Sequence, residues 1–202
     1  MRTSYRDDMT MRAARDRYFA VNGFGEDGGY DDAWVDFKLG PIPMPFPNTA
    51  GRIKAVKFHD LHHILTGYDT NATGEFEISA WEIGAGCRSM PAAWVINMGG
   101  LAAGTISSPR RILAAFVRGR RSRSLYGETF DPLLDRTVAD VRARFIGADA
   151  GATARDLVAF VATALLAVVV GLAFSAVMLP AVPVGLVMSW LRRRHAATNV
   201  SA

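Results

Sequence analysis

Cysteine is almost missing from this chain: Cys87 is the single one in 202 residues. That excludes an internal disulfide and a thiolate-built zinc ribbon, and it is compatible with a reducing compartment. Histidine is scarce too, with four in the chain. A membrane di-iron hydroxylase needs several histidine boxes, and one His-rich stretch plus His195 in the tail cannot supply them. No histidine precedes His59, which removes the His-Asp phosphohydrolase pattern. Alternating strand patterns are few, so the fold class is mainly α: a single helical domain with a C-terminal transmembrane helix. A large excess of either charge is lacking as well. The net charge of +4 fits contact with anionic lipid or phosphate, but is too small to point to nucleic acid.

Charge is absent altogether from Leu157 to Trp190. A bilayer core takes about 20 helical residues, so Leu157 to Leu179 is long enough to cross, and Pro180 and Pro183 break or kink the far end. Arg142, Arg144 and Arg155 precede this run and Arg192, Arg193 and Arg194 follow it, so the flanks are basic on both sides. One span in the cell inner membrane is expected, with the main domain cytoplasmic. The opening residues are polar and charged (Arg2, Arg6, Asp7, Asp8), unlike a secretory signal.

Four regions are expected. Residues 1–50 hold an N-terminal helix over Asp7 to Phe19 and an extended Pro-rich strap, Pro41 to Pro47. Residues 51–150 form a helical metal-binding domain, 156–191 the transmembrane segment, and 192–202 a basic tail. Within the domain, Arg52 to Thr66 reads as a helix closed by Gly67, and a second helix begins near Gly74 or Glu75. Pro91 to Ser108 is uncharged and glycine-rich, and is expected as a helix buried in the domain. Ser108-Pro109 reads as a helix start, and Thr137 to Asp140 as a capping-box variant. The cluster Arg118, Arg120, Arg121 and Arg123 reads as a solvated turn, or as a site for phosphate or anionic headgroups.

The chemistry-bearing stretch is His59-Asp60-Leu61-His62-His63, then eleven residues, then Glu75. On a helix, His59, Asp60 and His63 lie within one wedge, because residues three and four apart are neighbours. Imidazole with carboxylate suits zinc, iron or manganese better than calcium or magnesium. The expected metal ligands are therefore His59, Asp60, His63 and Glu75, around a divalent ion read as Zn2+, with Fe2+ or Mn2+ as alternatives. His62 falls on the far side of the helix and is left out. Glu82 shares a helical face with Glu75 and is a candidate proton shuttle.

The spacing H-D-x-x-H, eleven residues, E resembles the signature of the coenzyme Q biosynthesis protein 4 family. The run Arg118-Gly119-Arg120-Arg121-Ser122-Arg123-Ser124-Leu125-Tyr126, with Asp135-Arg136-Thr137 and Val141-Arg142, is similar to that family's C-terminal segment. The resemblance covers roughly Arg52 to Gly147; the Pro-rich strap and the C-terminal apolar segment are additions to the family pattern. It implies a mainly helical, often dimeric, membrane-associated protein that binds a divalent metal, usually described as zinc, and a long isoprenoid chain. It further implies a role in ubiquinone biosynthesis: removing the C1 carboxyl of a polyprenylated hydroxybenzoate, with replacement by hydroxyl, and organising other quinone-biosynthesis proteins. Four ligands would also close a structural zinc site, so a non-catalytic lipid- and metal-binding scaffold is the alternative.

Overall fold

The computed structural model describes residues 5–35, 38, 39, 42, 43, 46–180, 182–184, 186, 187 and 190. The basic tail and part of the Pro-rich strap lie outside these. The described parts of the strap region are extended. They form β1 (Trp34–Val35) paired antiparallel with β4 (Phe46–Pro47), and β2 (Lys38–Leu39) paired with β3 (Ile42–Pro43).

The rest is helical: α1 (Met11–Asn22), α2 (Ala50–Thr66), α3 (Ala72–Ala85), α4 (Pro91–Ser107), α5 (Pro109–Arg120), α6 (Phe130–Leu134), α7 (Val138–Phe145) and α8 (Ala154–Met178). α1 starts four residues later than the sequence suggested, because Thr10 takes the N-cap and accepts the Ala13 N–H. Thr49, Asn71 and Thr137 cap α2, α3 and α7 in the same way. Ser108 does not: Pro109 opens α5, but the serine side chain makes no capping bond.

α2 carries the His-rich stretch, and its last turn is fixed from several sides. Gly67 ends it at φ 74°, a left-handed position that glycine occupies without strain. Guanidinium groups take the terminal carbonyls, which a helix cannot satisfy internally: Arg142 donates to Ile64 and Leu65, and Arg118 to Thr66. α3 follows after a short turn and is clasped between α4 and α5 by glycines. A Cβ on Gly119 would lie 2.1 Å from the Trp81 carbonyl oxygen, one on Gly84 2.4 Å from that of Phe116, and one on Gly100 2.2 Å from the Ser79 hydroxyl. Trp81, Ile78, Leu61, Ile64, Leu101 and Ile112 fill the core between these helices.

Two expectations change here. α4 is not buried on all sides: Ala93, Asn97, Met98, Leu101 and Gly104 face the core, while Ile96 and Ile106 face outward. The arginine cluster is neither simply solvated nor an open anion site. Arg120 and Arg121 both donate to Asp156 in the first turn of α8, and Arg118 is spent on Thr66 and Asp149.

α8 is long and apolar enough to cross a membrane by length and composition, with a mean hydropathy of 2.8 over its most apolar window. Thr153 and Asp156 form a reciprocal capping box at its start. One edge of α8 packs on α4, with Phe160, Ala164 and Ala167 buried.

Candidate metal centre

α2 supplies His59 and His63, one turn apart, and α3 supplies Glu75 from its first turn, where the helix N-terminus favours a carboxylate. Their donor atoms meet. His59 Nε2 lies 3.1 Å from His63 Nε2 and 3.3 Å from Glu75 Oε2, and His63 Nε2 lies 3.4 Å from Glu75 Oε1.

The outer ring nitrogens decide what these atoms are. His63 Nδ1 faces the Tyr68 carbonyl at 3.0 Å, and His59 Nδ1 faces Glu82 Oε1 at 3.0 Å. Both partners only accept, so each Nδ1 carries the proton, and in the neutral ring each Nε2 is a lone pair. With both Nε2 atoms deprotonated, two imidazole lone pairs and a carboxylate converge, an arrangement that a cation satisfies; a proton on His59 Nε2, donated to Glu75, meets the same need. Metal–ligand bonds of about 2.1 Å place neighbouring ligand atoms about 3.0 to 3.4 Å apart, for right-angled to tetrahedral geometry. The His59–His63 separation falls in that window, and each imidazole faces its own Glu75 oxygen, Oε2 for His59 and Oε1 for His63. A group of His59, His63 and Glu75 can thus hold a metal ion.

The ionisation of the cluster shows the same demand for positive charge. Burial alone would push the His59 pKa down, yet Glu82 and Glu75 carry it well above the ordinary histidine value. Burial would likewise raise the Glu75 carboxyl, and the two imidazoles hold it below the usual range.

Asp60 stands beside this trio and not in it. It is buried, and its Oδ2 accepts the Tyr30 hydroxyl at 2.5 Å. Burial raises its pKa, with His59 and His63 close enough to oppose the shift. Of the four expected ligands, the structure brings together His59, His63 and Glu75, and ties Asp60 to the loop that precedes the strands.

Glu82 is the centre of a second, fully buried cluster. Oε1 accepts His59 Nδ1–H and also His62 Nδ1–H at 2.6 Å. Oε2 accepts the Tyr126 hydroxyl at 2.6 Å and the Asn97 amide. Four donors fill the four lone-pair positions of a carboxylate. Neighbouring His59 and His62 hold its pKa low against the effect of burial. A carboxylate held this way orients His59, as outer-shell carboxylates orient metal-bound imidazoles.

His62, set aside on sequence grounds, is therefore part of the site's support. Its Nε2 accepts the Leu125 N–H at 2.8 Å, and its ring is wholly buried beside Trp81 and Tyr126. Asn97 and Tyr126 were also missed. The one polar amide in the apolar face of α4 was the available signal for Asn97; nothing local marked Tyr126.

Beside His63 a pocket of about 240 Å3 opens, lined by Tyr5, Tyr18, Asn22, Tyr68, Thr70 and Asn71 among others. Tyr18 stacks on the His63 ring at 5.7 Å between centroids.

Fold and site together define a class: an all-α protein with a candidate centre of two histidines and one carboxylate. Comparison with family models, curated proteins and solved structures finds no match to the chain.

Proposed function

We propose that this protein acts in ubiquinone biosynthesis, as a metal-dependent enzyme removing the C1 carboxyl of a polyprenylated hydroxybenzoate. The observation that carries the metal is the meeting of His59 Nε2, His63 Nε2 and the Glu75 carboxylate, three acceptors once His59 gives up its Nε2 proton. The substrate rests on the resemblance of His59, Asp60, His63 and Glu75 to the coenzyme Q biosynthesis protein 4 signature.

Ligand count favours a catalyst over a scaffold. A structural zinc site is closed by four protein ligands, whereas three leave a position for water or substrate. Two histidines and one carboxylate is also the set associated with non-haem iron and oxygen chemistry, which makes Fe2+ as good a candidate as Zn2+. When bound, the ion would supply Lewis-acid stabilisation of the substrate carboxylate and phenol.

The protein's own groups do the rest. His59 and His63 are held in one tautomer by Glu82 and by the Tyr68 carbonyl. Glu82 is saturated with donors, so it serves as a positioning residue for His59 and not as a free proton acceptor. The pocket beside His63 is of a size for an aromatic ring, with tyrosine hydroxyls and amides around it. In the oxidative form, the aryl–carboxyl carbon bond breaks and an aryl–oxygen bond forms. Dioxygen, two electrons and two protons enter, and carbon dioxide and water leave. The electrons must come from an outside donor. The prenyl chain brings the substrate to a membrane, where α8 would hold the protein.

The test is to give purified, metal-loaded protein a carboxylated polyprenyl phenol and measure carbon dioxide. Release that depends on His59 supports the enzyme. Tight binding of the lipid with no release under aerobic, reducing conditions supports the scaffold that organises other quinone-biosynthesis proteins, and overturns catalysis.

A further inference from the structure

α8 does not stand away from the domain. Asp156 in its first turn is bonded by Arg120 and Arg121 at the end of α5, and further along Gly171 meets Ala102 of α4, a built Cβ lying 3.8 Å from that of Ala102. α8 and α4 therefore run side by side in the same direction. The exposed side of α4 carries no charge and presents Ile96, Ala103 and Ile106, one or two turns apart, with Ile106 82 % exposed. The exposed side of α8 presents Val158, Leu165 and Leu172, at 71, 66 and 67 % exposure. Each helix thus exposes an uncharged apolar stripe, and the 25-residue α8 gives the platform they offer a length of about 37 Å.

The level of charged groups fixes how such a platform can meet lipid. Gly104 of α4 abuts Ile112 of α5, so Arg111 and its partner Glu77 sit level with Gly171, in the middle of the apolar run. Were α8 upright in a bilayer in this docked position, Arg110, Arg111 and Glu77 would be carried to hydrocarbon depth, where charge is expensive. Laid flat, the same platform puts its apolar stripes into one leaflet and keeps those groups at the headgroup level. Exposed Arg155, at the start of α8, and exposed Arg110, level with Gly171, are then the cations available to anionic headgroups.

We infer that α4 and α8 together form an in-plane docking surface for an anionic lipid leaflet, so that α4 is itself a membrane-contacting helix and α8 does not cross. This rests on the membrane association proposed above, and not on the metal. It places the metal centre one helix away from the lipid, since Asn97 of α4 and Glu82 of α3 are in direct contact.

The experiment uses the full chain with Cys87 replaced by Ala and single cysteines introduced as Ile106→Cys, Leu165→Cys or Ala202→Cys. Each is labelled with an environment-sensitive dye and mixed with sealed vesicles of phosphatidylcholine, with or without phosphatidylglycerol. The in-plane surface predicts blue-shifted emission at both 106 and 165, quenching of both by shallow nitroxide lipids, and a label at 202 on the same side as the domain. It also predicts that Ile106→Asp weakens binding to the anionic vesicles several-fold. An aqueous label at 106 with the label at 202 across the bilayer would overturn it and leave a single-pass helix. Cross-linking between 106 positions of two copies, without lipid quenching, would overturn it in favour of a dimer. Failure to bind any vesicle would overturn membrane association as well.

Discussion

Asp60 and His63 lie three residues apart on one helix, yet the structure gives them different work, and substitution can separate them. His63 Nε2 is one of three converging acceptors, so His63→Ala should leave two ligands and abolish metal retained through desalting, as read by elemental analysis. Asp60 is engaged by Tyr30, and an asparagine oxygen can accept the same hydroxyl. Asp60→Asn should therefore keep its metal. If it loses the ion as His63→Ala does, Asp60 is a fourth ligand, the site is closed, and the scaffold gains. A second test at this scale concerns Tyr126, which reaches the centre only through Glu82. Tyr126→Phe removes one of four donors to a buried carboxylate, and a bond to a charged group is worth about 2 kcal/mol. Denaturant unfolding should show a loss of that order, and competition with a chelating dye should show metal affinity about 10-fold weaker, the lower end for an outer-shell partner. Unchanged affinity would confine Tyr126 to the core.

The elements that were easiest to foresee are those with local signals. α2 and α3 followed from apolar spacing, from Gly67 and from the acid-rich face, and they deliver His59, His63 and Glu75 to one point. What could not be read was set by contacts distant in the chain. Glu82 read as a candidate proton shuttle and not as a saturated carboxylate because its donors sit 15 residues away at Asn97 and 44 away at Tyr126. His62 was dismissed by helical angle alone, though the far side of α2 is where Trp81 and Leu125 arrive. α4 was read as buried because an uncharged segment can lie in the core or present an exposed apolar side, which composition does not separate. The glycines of the α3 crossing carry a prediction of their own. A methyl on Gly119 would strike the Trp81 backbone carbonyl, which cannot swing aside as a side chain can, and overpacking of this kind costs about 3 kcal/mol. Gly119→Ala should lower stability by that order and also weaken metal binding, because the carbonyl it displaces belongs to the helix carrying Glu75 and Glu82. Gly127, with nothing within 4 Å of its built Cβ, is the control: Gly127→Ala should stay within about 0.5 kcal/mol of the parent. Equal effects at both would mean that the crossing is not close-packed.

Across the whole molecule the helices lie in sequence from apolar to polar: α8 on α4, α4 on α3, and α3 facing α2 across the centre. The joint between the apolar helix and the rest is electrostatic at its start. Asp156 accepts Arg120, Arg121, and both the backbone and the hydroxyl of Thr153, while the linker at 148–153 is exposed. Asp156→Ala removes the capping box and both guanidinium contacts together, without touching any residue of the centre. It should therefore loosen α8 from the domain and leave the domain intact. The expected signs are faster tryptic cleavage at Arg155 and faster amide exchange through the first turns of α8, with metal content and the helical circular dichroism signal unchanged. If metal is lost along with the docking, α8 helps to hold α4 and α3 in register, and the centre depends on the apolar helix it was taken to be independent of. If cleavage and exchange both stay at the parent's rate, the packing of Phe160, Ala164 and Ala167 is sufficient by itself, and the charged joint only sets where the helix begins.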